Sequence, residues 1–156
     1  MKDIIRKVAC AICHLMGGPE VEAEPEPEPI ILPSKVIDIA LASSILLDKL
    51  EAMGMGDAEI YLPDRDIKVY NKEKVKGFLG LDETSEIVYV AEVMDCDDFA
   101  AELFGKFAGL VWTNLHALNW FIDDTEKFWF IEPQSDKIAS DLEGWQGSRV
   151  RFFVGR

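Results

Sequence analysis

The chain has 156 residues, 49% of them hydrophobic, with 16 Lys and Arg against 29 Asp and Glu for a net charge of −13. A chain of this size fits one domain with a self-sufficient core and is too apolar for general disorder. Its acidity excludes a basic footprint for nucleic acid and disfavours anionic membrane surfaces, while suiting divalent cations or basic partners.

Residues 1–16, MKDIIRKVACAICHLM, carry Lys2, Arg6 and Lys7, and Ile5, Val8, Ala9, Ile12 and Leu15 recur at helical spacing. That pattern predicts an amphipathic docking helix, so a protein partner is expected for this segment. A secretory signal fits less well: the apolar run 8–16 is interrupted by His14 and no A-x-A site follows. Cys10, Cys13 and His14 match both a haem-attachment spacing and a three-ligand zinc set, but they read better as small residues of an apolar helix face. The odd cysteine count of 3 makes no disulfide framework. No apolar run reaches the ~18 residues of a membrane span.

Residues 17–33 hold five of the seven prolines and alternate them with Glu20, Glu22, Glu24, Glu26 and Glu28. Proline favours extended conformations and like charges stiffen them, which predicts a semi-rigid acidic tether. Residues 34–156 make the folded domain. Ser34 is placed to cap a long helix ending near Gly54 and Gly56, with Ile37, Leu41, Ile45 and Leu46 on its apolar face. An extended segment is expected at 58–62, an Asn71-capped helix through Leu79, and a β-branched strand at 87–93. Asp95 then caps a helix predicted from Cys96 to about Val111, with Phe99, Leu103, Phe107 and Leu110 on one face. Strands at 114–123 and 127–132 form a hairpin around 124–126, and 149–154 is a final strand. This order defines an α+β fold: helices, one of them cysteine-bearing, on an antiparallel sheet.

Three residues carry candidate chemistry. Cys96 opens a helix, where free N–H groups and the helix dipole favour thiolate. His116 shares a strand face with Leu118 and Trp120, and Glu132 ends the next strand of the hairpin. A thiolate nucleophile, an imidazole base and a third polar group that orients the ring form a catalytic set. A buried inert cysteine and a core histidine are the plainer readings of each residue taken alone. Asp95, Asp97 and Asp98 flank the sulfur and disfavour a further negative charge there. A Ca²⁺ ion on these three carboxylates would reverse that field, whereas helix capping is their plainer role. Asp123 and Asp124 could add ligands but fit the hairpin turn. Trp112, Trp120, Trp129 and Trp145 could line a groove but fit sheet-face packing better.

The stretches Tyr89 to Ala100, His116-Ala117-Leu118-Asn119-Trp120 and Ile131-Glu132-Pro133-Gln134 resemble papain-like cysteine peptidases. They look most like the catalytic domain of the fairy-ring mushroom agglutinin and its bacterial and phage relatives. The DCDDFA stretch also resembles the nucleophile helix of transglutaminase-like cysteine peptidases. The resemblance covers about residues 60–136. It implies a papain-like fold, Cys96 as nucleophile, His116 as base, Glu132 as orienting residue, calcium-dependent hydrolase activity as a thiol protease, and a peptide or protein substrate. The backbone N–H of Cys96 is the better oxyanion donor and Gln134 a weak one. No lectin part is present, and the Cys-to-His interval is short for the family. The competing expectation is a non-catalytic module of the same fold, docked through residues 1–16 to a larger assembly such as a phage particle. The expected location is the cytoplasm or such an assembly, with secretion left open.

Overall fold

Asp38, not Ser34, starts the first helix. The computed structural model describes residues 27–142 and 149–156, so the helix expected at 1–16, most of the tether and Trp145 lie outside the described residues. The β-branched pair Val36-Ile37 is drawn into strand β1 (Lys35–Asp38), which pairs antiparallel with β3 (Asp66–Val69). Helix α1 (Ile39–Ala52) follows, its Leu41 N–H donating to Asp38 Oδ1 at 2.9 Å. Ser34 Oγ instead accepts from the Asn71 N–H. Replacing Asp38 by alanine removes the cap and is expected to cost about 1 kcal/mol, read as a lower urea midpoint with an unchanged m-value. An unchanged midpoint would show that water replaces the cap at no cost.

Helix α2 (Lys72–Leu79) begins where expected, with Asn71 Oδ1 accepting from the N–H groups of Glu73 and Lys74. A 3₁₀ turn spans Glu83–Glu86. The strand expected at 87–93 does not form. That stretch folds on itself, with reciprocal Val90 and Met94 backbone bonds of 3.0 and 2.7 Å and Glu92 at φ 61°. Its β-branched residues meet no partner strand, so propensity alone decides nothing.

Helix α3 (Cys96–Lys106) ends before the expected Val111, because residues 109–113 leave it to become strand β4. Gly109 at the start of β4 has the Trp120 ring where a β-carbon would sit. The remaining strands are β2 (Glu59–Tyr61), β5 (Ala117–Ile122), β6 (Phe128–Glu132), β7 (Lys137–Ala139) and β8 (Val150–Val154). They form one six-stranded sheet in the order β2-β8-β4-β5-β6-β7. The β2–β8 pair is parallel and the other pairs are antiparallel, so the expected antiparallel sheet is mixed.

Every residue of β5 is buried. Leu118, Trp120 and Ile122 face one core with α1 and β3, while Phe121 and Ile131 face a second core with α2 and α3. Layers on both faces explain why β5 shows no polar alternation. The α+β class is as expected, with three helices, a mixed sheet and a small antiparallel one among the described residues. Trp120 is a core residue, as expected, with its Nε1 donating to the carbonyls of Leu110 and Val154.

Candidate thiol and imidazole site

Asp123 and Asp124 serve the hairpin. Asp123 Oδ1 accepts from Thr125 N, Thr125 Oγ1 and Lys127 N, and its Oδ2 accepts from Trp129 Nε1 at 2.7 Å. Burial opposes its charge, but the bonds from Thr125, Trp129 and Lys127 outweigh it and hold the carboxyl below the usual range. A depressed carboxyl stabilises the fold above its unfolded value of about 3.9, and this contribution is lost as pH falls through the folded value. Asp123→Asn should therefore cost about 2 kcal/mol at pH 7 and less near pH 3, measured by urea unfolding at both. An equal cost at both values would contradict this. Asp124 accepts from Asn71 Nδ2, tying the hairpin to the cap of α2.

Helix α3 begins with a capping box. Asp95 accepts from the Asp97 N–H, and Asp98 Oδ2 accepts from the Asp95 N–H at 3.0 Å. Ligand atoms of Asp95, Cys96 and Asp97 lie within 4.8 Å of one another. Asp98 is not one of this group, because its carboxylate is turned back to cap the helix. A hydrogen bond between the side chains of Asp95 and Asp97 holds Asp95 below and Asp97 above the usual carboxylate range. This is the behaviour of two carboxylates sharing a proton. Asp95, Cys96 and Asp97 are the residues placed to hold a cation, although a thiol beside two carboxylates is a mixed set for calcium, which prefers oxygen. Cys96 itself is a free, half-buried thiol.

His116 and Glu132 meet as expected, although β5 starts only at Ala117, so His116 stands one residue ahead of the strand expected to hold it, while Glu132 ends β6. His116 Nε2 lies 2.6 Å from Glu132 Oε2, and the two side chains are 16% and 13% exposed. Continued by one step, the Asn119–Ile131 register sets Leu118 opposite Glu132, so His116, two residues earlier, meets the carboxylate diagonally. Thr113 locks the backbone beneath the ring: its Oγ1 accepts from the His116 N–H and donates to the His116 carbonyl. Glu132 Oε1 accepts from the Gln134 N–H, so Gln134 supports the carboxylate through its backbone. His116 Nδ1 has no hydrogen-bond partner among the described residues.

Asn119, which sequence reasoning did not single out, fixes α3 to the sheet. Its Nδ2 donates to the carbonyls of Ala100 and Gly109, at 2.8 and 3.1 Å. Cys96 is one turn before Ala100, about 6 Å along the helix. His116 precedes Asn119 by three residues, about 10 Å of strand. Asn119 thus ties the helix that opens with Cys96 to strand β5, which His116 immediately precedes. No hydrogen bond joins Cys96 Sγ to the His116 ring. The signal for Asn119 was one amide inside an apolar strand, where a buried polar group must find partners. Its Oδ1 remains buried without one.

No family model matches the chain, and no curated protein does. Several solved structures share its fold, among them the following two. A PSL1a–E64 complex has a TM-score of 0.62 and 20% identity, over 76% of this chain and 50% of that one. Polyporus squamosus lectin bound to the human-type influenza-binding epitope Neu5Aca2-6Galb1-4GlcNAc has a TM-score of 0.60 and 22% identity, over 76% of this chain and 49% of that one. The chain thus spans about half the length of these neighbours, and likeness at such identities shows the fold alone.

These neighbours correct the family identification. The motifs pointed to papain-like cysteine peptidases, but the fold is shared with a structure described as Polyporus squamosus lectin and with a PSL1a–E64 complex. The assignments as a thiol protease or hydrolase, and as a module docked to a phage particle, are withdrawn on that finding. The physical reason is that short motifs on a shared fold do not fix an activity. Among the described residues no helix is long and apolar enough to cross a membrane.

Proposed function

We propose that Cys96, His116 and Glu132 form a reactive-thiol centre at one end of the sheet. Cys96 supplies the sulfur that bonds to an electrophilic carbon as a carbon–oxygen bond there breaks, and the freed oxygen receives the proton that His116 has taken from the thiol. His116 takes the thiol proton at Nδ1, the ring nitrogen that Glu132 leaves free, and Glu132 holds the ring and balances the imidazolium charge. The observation that carries this reading is the 2.6 Å His116–Glu132 contact, with the free, half-buried Cys96 opening the helix that Asn119 ties to β5. It assigns no peptide substrate. The test is incubation of the full chain, with Cys10 and Cys13 changed to serine, with E64, the compound named with one structural neighbour. The expected result is a single mass adduct on Cys96, absent in Cys96→Ala. No adduct after prolonged incubation would count against the centre. The assay is run with and without Ca²⁺. A cation held by Asp95 and Asp97 would offset the charge beside the sulfur and speed the reaction.

A second reading follows from the lectin likeness. Tyr61, Phe152 and Trp112 form an aromatic strip, with Phe152 centroids 6.4 Å from Tyr61 and 5.4 Å from Trp112, and Tyr61 is exposed. Such rings offer a platform for the apolar face of a sugar. The net charge of −13 disfavours an anionic sugar, so neutral glycans are the better fit. Glycan-array binding that Trp112→Ala abolishes supports this reading, and an empty array removes it.

A further inference from the structure

Thr113 is the last residue of β4 and His116 stands one residue ahead of β5, so the two close the turn that carries Asn114 and Leu115. A residue in a turn has no strand ladder on which to spend its backbone groups, and they need local partners. Here one hydroxyl supplies them. Thr113 Oγ1 accepts from the His116 N–H at 2.9 Å and from the Leu115 N–H at 3.3 Å, and it donates to the His116 carbonyl at 2.8 Å. A hydroxyl has one donor and two acceptor sites, and all three are used. The Thr113 N–H gives the same carbonyl a second bond at 2.8 Å. Both backbone polar groups of His116 therefore end on Thr113, which is 2% exposed, so water has little access to replace the hydroxyl.

The strand is irregular at this residue. Trp112 pairs with Phe152 of β8 but Thr113 pairs with Val150, which leaves Arg151 as an extra residue. Bulges of this kind re-aim the side chains beside them. The tip of the turn is tied to β8 separately, through the Asn114 N–H to the Arg149 carbonyl and the Arg149 N–H to Asn114 Oδ1. Those bonds touch neither polar group of His116.

Glu132 holds the imidazole by Nε2, the nitrogen far from the backbone. One contact there leaves the ring free to pivot about that atom. Nδ1 is bonded to Cγ, so its place follows the backbone of His116 and not the carboxylate. We propose that Thr113 is a positioning residue of the thiol centre: its hydroxyl fixes the His116 backbone, and with it Nδ1, while Glu132 fixes Nε2. The proposal rests on the reading of Cys96, His116 and Glu132 as that centre. Thr113 moves no proton itself. It acts through the base, which must keep within hydrogen-bond reach of the thiol.

The test is the rate of iodoacetamide labelling at Cys96 at pH 6 and pH 9, with Cys10 and Cys13 replaced by serine throughout. Thr113→Val puts a methyl group where the oxygen was and should slow labelling at pH 6 by about fivefold, the effect of a base displaced by less than about 1 Å, with little change at pH 9. Thr113→Ser keeps the hydroxyl and should label as the parent does. In a His116→Ala background, Thr113→Val should slow labelling no further, because the effect passes through the ring. Slowing at both pH values, or slowing that persists without His116, would reduce Thr113 to a structural role and overturn the proposal. Parent-like labelling by Thr113→Val beside slow labelling by His116→Ala would overturn it and leave the centre standing. Parent-like labelling by His116→Ala would remove both. Circular dichroism checks folding, and Thr113→Ala replaces Thr113→Val should the latter not fold. In the unaltered chain the His116 amide should exchange at least about tenfold slower than a free peptide, and an unprotected amide would overturn the proposal without any variant.

Discussion

Truncating Phe153 to alanine should lower the free energy of unfolding by about 4 kcal/mol, the range for deleting a buried aromatic ring. Phe153 has no solvent exposure, and its ring lies 5.9 Å from Trp120 and 5.6 Å from Phe128, edge-on to both. It also sits on the strand that joins β2 to β4, opposite Ile60 and Val111. The cavity left by the ring would be lined by other large rings, which cannot move in to fill it. Urea unfolding at neutral pH measures the loss. A change below about 1 kcal/mol would mean that the α1 face of the sheet collapses freely onto the gap.

Gly109→Ala should be nearly as damaging for the opposite reason. A β-carbon there would lie 2.2 Å from Trp120 Cε2 and 2.4 Å from its Nε1. The indole cannot retreat without breaking its bonds to the carbonyls of Leu110 and Val154. Overpacking of a tight core costs about 1–3 kcal/mol and sometimes more. The upper part of that range is expected, together with a changed near-ultraviolet signal from the displaced tryptophan. Wild-type stability and spectrum would show that the strand can shift to make room. This position matters to the site, because Asn119 ties the Gly109 carbonyl to Ala100 on the cysteine-bearing helix.

Local chemistry was legible in the sequence where one residue decides the outcome. Asn71 caps α2, Asp95 caps α3, and the hairpin turns at residues 123–126 around a carboxylate that collects its own backbone. Pairing between distant segments was not legible. β1 takes Val36 and Ile37 out of the expected helix because β3, some thirty residues on, supplies the partner. The parallel β2–β8 pair joins residues more than ninety positions apart, which no periodicity encodes. At 87–93 the reverse held: the residues favour a strand, but nothing lies alongside to receive one.

The site was legible in the same uneven way. Adjacent hairpin strands with alternating faces predicted that His116 could meet Glu132, and they do. Asp98 was expected among the cation ligands, whereas the capping box gives its carboxylate a local partner. The family identification rested on a few short motifs. A solved structure sharing this fold at 22% identity carries a lectin's name instead, so the motifs described an arrangement of side chains better than an activity.

The account stands on cooperation between the Cys96 sulfur and the His116 ring. The most direct measurement is the second-order rate of iodoacetamide labelling at Cys96 from pH 5 to 9. It is compared among the full chain, His116→Ala and Glu132→Gln, all with Cys10 and Cys13 replaced by serine. A cooperating pair predicts that His116→Ala slows labelling at pH 6 by at least about tenfold, with Glu132→Gln intermediate, and that the three rates converge at high pH where any thiol ionises unaided. Identical profiles for the three proteins would contradict the account and leave Cys96 an ordinary half-buried thiol.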